Sequence, residues 1–296
     1  MFHGVTEDPG NSVRNISTKE FKKILSLLNK HFEIVSLEKI VKESHSNKPQ
    51  IAITFDDGYL NNFNEAIPIL ENISIPATFF IITKSLTTDR TILPIDFIDC
   101  IIDNENPPEI IIDNKSFYRK NNYRLSENNE LIYDYIIRNS DRMAQIDQQL
   151  QKQFDIEFYR SDSIYSKRAV LVNEETLKKH ISKSIFSFQS HTHSHINLNI
   201  DLNESQLSEE LGRPIESINK LTSRRCDMIA FPYGEYNSNT IKTGKALGYN
   251  FFFAVTFKNN GEAMHSNLFQ RIGISNTTNA EVNFINMIIQ SGKKSF

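Results

Sequence analysis

Short apolar runs separated by stretches of helical period are the feature that most limits what this chain can fold into. IAITF (51–55), ATFFII (77–82), DMIAF (227–231) and FFFAVT (251–256) are each too short for a buried helix and are rich in β-branched and aromatic residues, so they read as strands. Between and after them lie amphipathic stretches around 60–71, at NESQLSEELGRPIESINKL (203–221) and at SNTIKTGKALGY (238–249). FQRIGIS (269–275) reads as a further strand and AEVNFINMIIQSG (280–292) as a last helix. Such alternation predicts a parallel sheet with crossover helices. The expected fold is α/β, a distorted (β/α) barrel of about seven strands forming one domain over residues 1–296.

Between 84 and 168 the rhythm breaks. This stretch is polar, with a hairpin expected at EIIIDNKSFYR (109–119) and helices within 126–155, and is read as an α+β insertion within the barrel. As the insertion leaves between two barrel strands, it is expected at one rim, where it can line a cleft.

The formal charge of -3 gives no basic surplus to favour nucleic acid as a partner. No run of 18 or more uncharged apolar residues reads as a transmembrane segment, and MFHGVTEDPG has neither a charged n-region nor an h-region. The expectation is a cytoplasmic protein, or a periplasmic or extracellular one if a signal was removed before this numbering begins. Cys100 and Cys226 are far apart, without C-x-x-C spacing, and read as core thiols rather than a disulfide.

Three clusters carry chemistry. In TFDDG (54–58), two carboxylates stand at the carboxyl end of a buried strand, where α/β barrels place active sites, and adjacent acids there repel unless a cation or proton separates their roles. A solvated Asp-Gly turn is the plain alternative. In SHTHSH (190–195), a helical turn would put His191 and His195 on one face, whereas an extended backbone would pair His193 with His195. One Asp with two neutral imidazoles leaves open positions on an ion, as catalytic zinc sites require. In AFPYG (230–234), Pro232 and Gly234 shape a turn that can aim the Tyr233 amide outward as an oxyanion donor.

Taken in order, these motifs resemble the polysaccharide deacetylase family, the carbohydrate esterases of family 4. T-F-D-D-G is its first motif, and H-[ST]-x-x-H, here His191, Thr192 and His195, its second. IAFPYG, GYNFFFAVT and FQRIGI resemble the branch with F-x-[YF]-P-Y-G, G-Y-x-x-A-x-T and x-x-R-I-x-I phrases. MFHGV, STKEF and EIVSL match that branch's amino-terminal Y-H-x-V, S-x-x-x-F and V-I-S-L. The resemblance spans 1–83 and about 170–290.

The resemblance implies that Asp56 is the general base and that Asp57, His191 and His195 hold a divalent metal. Zinc comes first, with cobalt, nickel or manganese as alternatives; His193 falls at a variable position. The implied reaction is removal of an N-acyl group, acetyl before formyl, from an amino sugar in a glycan or glycan precursor. The metal would polarise the amide carbonyl and acidify water, and the Tyr233 amide would stabilise the oxyanion. The commoner third motif has an Arg where this chain has Ala230, so Arg271 is the expected partner of Asp56. The usual D-W motif is absent because there is no Trp. His3, in the Y-H-x-V position, is the expected acid for the leaving amine, with His265 as the alternative. A different class of function, a non-catalytic carbohydrate-binding protein on the same fold, is separated from the enzyme by metal analysis.

Overall fold

The computed structural model describes residues 1–10, 12–42, 48–121, 123–256 and 267–292. Six parallel strands form the main sheet: β1 (Ile53–Phe55), β2 (Ala77–Ile81), β3 (Phe186–Ser190), β4 (Met228–Ala230), β5 (Phe251–Ala254) and β6 (Leu268–Gln270). Strands consecutive in this series are neighbours in space, so the sheet is wound in one direction and curls into a half-barrel. Among the described residues the main sheet has six strands, where the sequence leads one to expect about seven. The remaining gap is bridged by residues 1–2, which are too few to make a strand. The Phe2 N–H donates to Thr54 O (2.8 Å) and Phe2 O accepts from Asp56 N–H (3.0 Å), while Met1 O accepts from Ile274 N–H (3.0 Å). The start of the chain thus joins β1 to the segment that follows β6.

Period-two alternation sorts the strand side chains. Phe55, Phe79 and Phe188 stack on the outer face, with ring centroids 4.8 Å apart for the first pair and 5.7 Å for the second. Phe80, Met228, Ala230 and Phe253 form a separate cluster inside the curl. The strand FSFQS (186–190), not anticipated from sequence, has polar residues where they do structural work. Strands β3 and β4 share one register pair, Ser190 with Ile229, and the buried Gln189 amide completes the seam by accepting from Asp227 N–H (3.1 Å) and Met228 N–H (3.0 Å).

Helices cover the outer face. In α1 (Thr18–His31), Ser17 Oγ caps the first turn by accepting from Glu20 N–H (3.1 Å), and Phe21, Ile24, Leu25 and Leu28 are buried. Phe21 meets Phe2 edge to face at 5.1 Å, so α1 also fixes the segment that carries His3. Among the described residues, no helix is long and apolar enough to cross a membrane.

The chain between β2 and β3 builds a core of its own. The helix α2 (Pro94–Asn104) contributes Phe97, Ile98 and Ile101, which join Ile112, Phe117 and Ile146 in one buried cluster. The hairpin pairs Glu109–Ile112 with Lys115–Lys120, and Tyr123–Leu125 adds a third antiparallel strand. Bridges between Ile92 and Val170 and between Tyr59 and Leu171 anchor the segment beside the barrel rim. Cys100 and Cys226 are both buried and unpaired.

Candidate metal centre and active site

At the carboxyl end of β1 the backbone turns sharply. Asp57 (φ 69°) and Gly58 (φ 76°) are both left-handed, and Gly58 N–H donates back to Asp56 O at 2.8 Å. At φ 76° Gly58 holds a conformation that other residues adopt only with strain, so the turn favours glycine there. This turn directs the two acids to different partners.

Asp56 faces Arg271, just beyond β6, in a buried bidentate pair: Nη1 to Oδ1 2.6 Å and Nη2 to Oδ2 2.7 Å. The guanidinium also lies over the Phe80 ring, 5.1 Å from its centroid. Burial would raise the pKa of Asp56, but Arg271, then His191 and His3, outweigh it and hold the carboxyl below its ordinary range.

Asp57 faces the histidines. Its Oδ1 lies 3.2 Å from His191 Nε2 and 3.1 Å from His195 Nε2, and one ligand atom from each of the three residues falls within 4.8 Å of the others. Among the described residues no other group of three His, Cys, Asp or Glu side chains converges in this way. Asp57 Oδ1 is buried, and neither imidazole meets it in hydrogen-bond geometry. The His191 Nδ1 lies 2.9 Å from Ala230 O, which fits an Nδ1–H donor and leaves the Nε2 lone pair for a ligand bond. Three buried donor atoms, one carboxylate and two imidazole, fit a divalent cation of the zinc type.

The expected helical turn at SHTHSH is absent. Residues 191–195 form a loop in which Thr192 (φ 65°) and His195 (φ 63°) are left-handed, and Thr192 Oγ1 accepts from His195 N–H at 3.0 Å. The backbone reverses locally to bring His191 and His195 together, with no help from helical period. His193 is engaged elsewhere: its Nδ1 lies 3.1 Å from Thr83 Oγ1 and its Nε2 3.2 Å from Arg213 Nη1. The loop is held by the buried Glu210, which accepts from Ser194 N–H (2.9 Å) and Oγ (2.5 Å).

Tyr233 is left-handed (φ 58°, ψ 6°), a costly conformation for an aromatic residue, and its ring packs on His195 with centroids 4.6 Å apart. Asp57, Thr192, His195 and Tyr233 thus gather strained backbone around one point. His3 borders the same cavity, and its carbonyl accepts from Asn62 Nδ2 (2.7 Å). Burial, aided by Arg14 and His191, lowers its pKa against the pull of Asp57 and Asp56, so the proton is held less firmly than an unperturbed imidazole would hold it. His265 lies outside the described residues.

These residues line a cavity of about 830 Å³, within the usual span of roughly 300–1,000 Å³ for small-molecule sites. Its other walls come from the insertion and from residues 12–14, and include Arg14, Asp99, Tyr123 and Tyr133. No motif in the sequence marks these residues. The one local signal was Asp96 and Asp99, three apart in PIDFIDC and hence on one helix face.

A curled parallel sheet carries at its carboxyl rim an Asp-His-His triad that could hold a metal ion, beside an arginine-held acid, which sets the chain among the (β/α) barrels with a candidate metal site. The sequence profile of the polysaccharide deacetylases matches residues 43–252, and the chain belongs to that family. Over 91 residues it is 34% identical to YxkH of Bacillus subtilis (strain 168), whose name places it among the polysaccharide deacetylases; the match spans 29% of this chain and 32% of that relative's length. In fold it is similar to the Streptococcus pyogenes deacetylase PplD, solved in complex with acetate, with a TM-score of 0.60 and 16% identity over 97% of this chain and 95% of that one. It is similar also to a de-N-acetylase from Aggregatibacter actinomycetemcomitans, with a TM-score of 0.58 and 16% identity over 96% and 97% of the two chains.

Proposed function

We propose that this protein is a metal-dependent hydrolase that removes an N-acyl group, acetyl foremost, from an amino sugar in a glycan or glycan precursor. The observation that carries the reading is the juxtaposition, on one cavity wall, of a convergent Asp57–His191–His195 triad with a separate carboxylate, Asp56, clamped by Arg271. A divalent cation, zinc first, held by the triad would supply Lewis-acid polarisation of the amide carbonyl and acidify the attacking water.

The chain's own groups do the rest. Asp56, ionised and fixed by Arg271, accepts the proton of the attacking water. Arg271 is a positioning residue, since both its Nη groups are engaged by Asp56. The left-handed turn at Tyr233 offers its backbone N–H to the oxyanion. His3 donates the proton that the departing amine needs. Its lowered pKa favours easy release but reduces the protonated fraction as pH rises.

The test is a screen of N-acetyl and N-formyl sugars for released acetate or formate, using metal-loaded protein and its Asp56→Asn variant. Wild type should release acyl group, and Asp56→Asn should keep the metal and lose turnover by about 10²–10⁴-fold. Sugar binding with metal retained but no release from any substrate would favour the non-catalytic carbohydrate-binding reading.

A further inference from the structure

The cavity wall opposite the triad carries a donor and an acceptor that the reaction does not use. Arg14 is anchored by Nε to Asp96 Oδ1 (2.7 Å), and by Nη2 to Asp99 Oδ2 (2.5 Å) and to Ile95 O (3.3 Å). Among the described residues its Nη1 donates to no protein oxygen, while the side chain is 17% exposed and borders the cavity. Asp99, 20% exposed, borders the cavity too, and its Oδ1 accepts from Tyr133 OH at 2.6 Å. Asp96 is held by Tyr59 OH at 2.9 and 3.0 Å and is nearly sealed from solvent. A rigid guanidinium N–H thus stands beside a rigid carboxylate, the pair spanning the amino-terminal segment and helix α2.

We infer that Arg14 and Asp99, braced by Tyr133, form a subsite that reads a sugar hydroxyl on the substrate and selects neutral amino sugars over phosphorylated or carboxylated ones. The inference rests on the deacetylase reading and deepens it. A hydroxyl both accepts and donates, so one hydroxyl, or two on adjacent carbons, can take the Arg14 N–H and give its own proton to Asp99. A phosphate or carboxylate can only accept, and at this subsite it would meet the Asp99 charge beside an Arg14 that Asp99 already balances. Arg124, which lines the same cavity, keeps its charge but is committed to neutral protein oxygens. It is 1% exposed and directs its Nη groups to the oxygens of Asn106, Pro107 and Tyr123. The apolar side chains of Leu93, Ile95, Leu131 and Ile137 complete the wall and suit the C–H face of a sugar ring.

The experiment compares metal-loaded wild type, Asp99→Asn and Tyr133→Phe on three probes: the β-1,4-linked disaccharide of N-acetylglucosamine, N-acetylglucosamine 1-phosphate and UDP-N-acetylglucosamine. Acetate release gives kcat and KM, and calorimetry gives disaccharide affinity for each protein. Wild type should favour the disaccharide. Asp99→Asn should raise its KM and weaken its calorimetric affinity by about 10-fold or more, the weight of a charge-assisted hydrogen bond, with a smaller change in kcat and no change in metal content. Tyr133→Phe, which leaves both charges in place, should move KM the same way by less. A wild-type preference for either phosphorylated probe, or unchanged KM and affinity in both variants while wild type turns over, overturns the subsite and leaves the deacetylase reading intact. If wild type releases no acetate from any of these three probes, the deacetylase reading is decided by the wider screen of N-acetyl and N-formyl sugars, and the subsite by whether Asp99→Asn weakens disaccharide binding.

Discussion

Asp56 and Asp57 are chemically identical neighbours, and only their surroundings give them different work. Arg271 engages both oxygens of Asp56 with planar geometry that a lysine cannot reproduce. Arg271→Lys should therefore keep metal content while lowering kcat by about 10- to 100-fold, as expected when a base keeps its charge but loses its orientation; steady-state kinetics with metal analysis checks this. His3→Ala should leave metal intact and lower turnover by about 10²–10⁴-fold, whereas His193→Ala, remote from the triad's ligand atoms, should keep most of both. The acids could be picked from sequence because they stand at the end of a legible strand, where barrel chemistry gathers, and the histidines because three fall within five residues in an H-[ST]-x-x-H pattern. The route by which the histidines meet was not legible. Left-handed backbone at Thr192 and His195 goes with backbone N–H groups donating to the side chains of Ser190, Thr192 and Glu210, which no periodicity encodes. Arg14 and Asp99 were hidden for another reason: they are brought together from 85 positions apart.

Elements were legible where local chemistry and tertiary demand agreed. The hairpin at 109–119 was, because Asp113 (φ 52°) and Asn114 (φ 58°) are residues that accept the left-handed pair a two-residue turn needs. Strand β3 was not, since its Ser and Gln residues look like a loop until Gln189 is seen closing the β3–β4 seam. Asp113 also ties the hairpin to its neighbours, accepting from Tyr135 OH (2.7 Å), Arg142 Nη2 (2.6 Å) and Gln149 Nε2 (2.8 Å). Burial works to raise its pKa, but these three partners override it and lower the pKa below the ordinary 3.8. A depressed carboxyl stabilises the folded form above the unfolded pKa, and that contribution is lost as pH falls through the folded value. Hydrogen exchange across 109–153 should show protection falling from pH 4 downward, and Asp113→Asn should flatten that dependence while lowering protection at pH 6. Equal profiles for the two proteins would mean the anchor carries no linked proton.

At the scale of the whole molecule, the site joins parts distant in the chain: residues 1–14, β1, the loop after β3, the turn after β4, and Arg271. A cation bound by Asp57, His191 and His195 ties two of these together, the end of β1 and the loop after β3, and favours the native state by mass action, about 2.7 kcal/mol when free metal is 100-fold above Kd. For a chain of this size that corresponds to a rise in Tm of about 4 °C, which calorimetry of metal-free and metal-loaded protein measures and which Asp57→Asn should abolish. The insertion provides much of the cavity wall, so replacing its wall residues should change substrate choice more than metal affinity.

The central claim, that one metal held by the triad drives amide hydrolysis next to an arginine-held base, is tested most directly by titrating zinc into metal-free protein while acetate release from an N-acetyl amino sugar is followed. The account predicts activity that rises in proportion to bound zinc and saturates at one equivalent per chain. Asp57→Ala should neither bind that equivalent nor turn over, and Asp56→Asn should bind it and remain inactive. Full turnover by the metal-free chain, or stoichiometric zinc retained by Asp57→Ala, would contradict it.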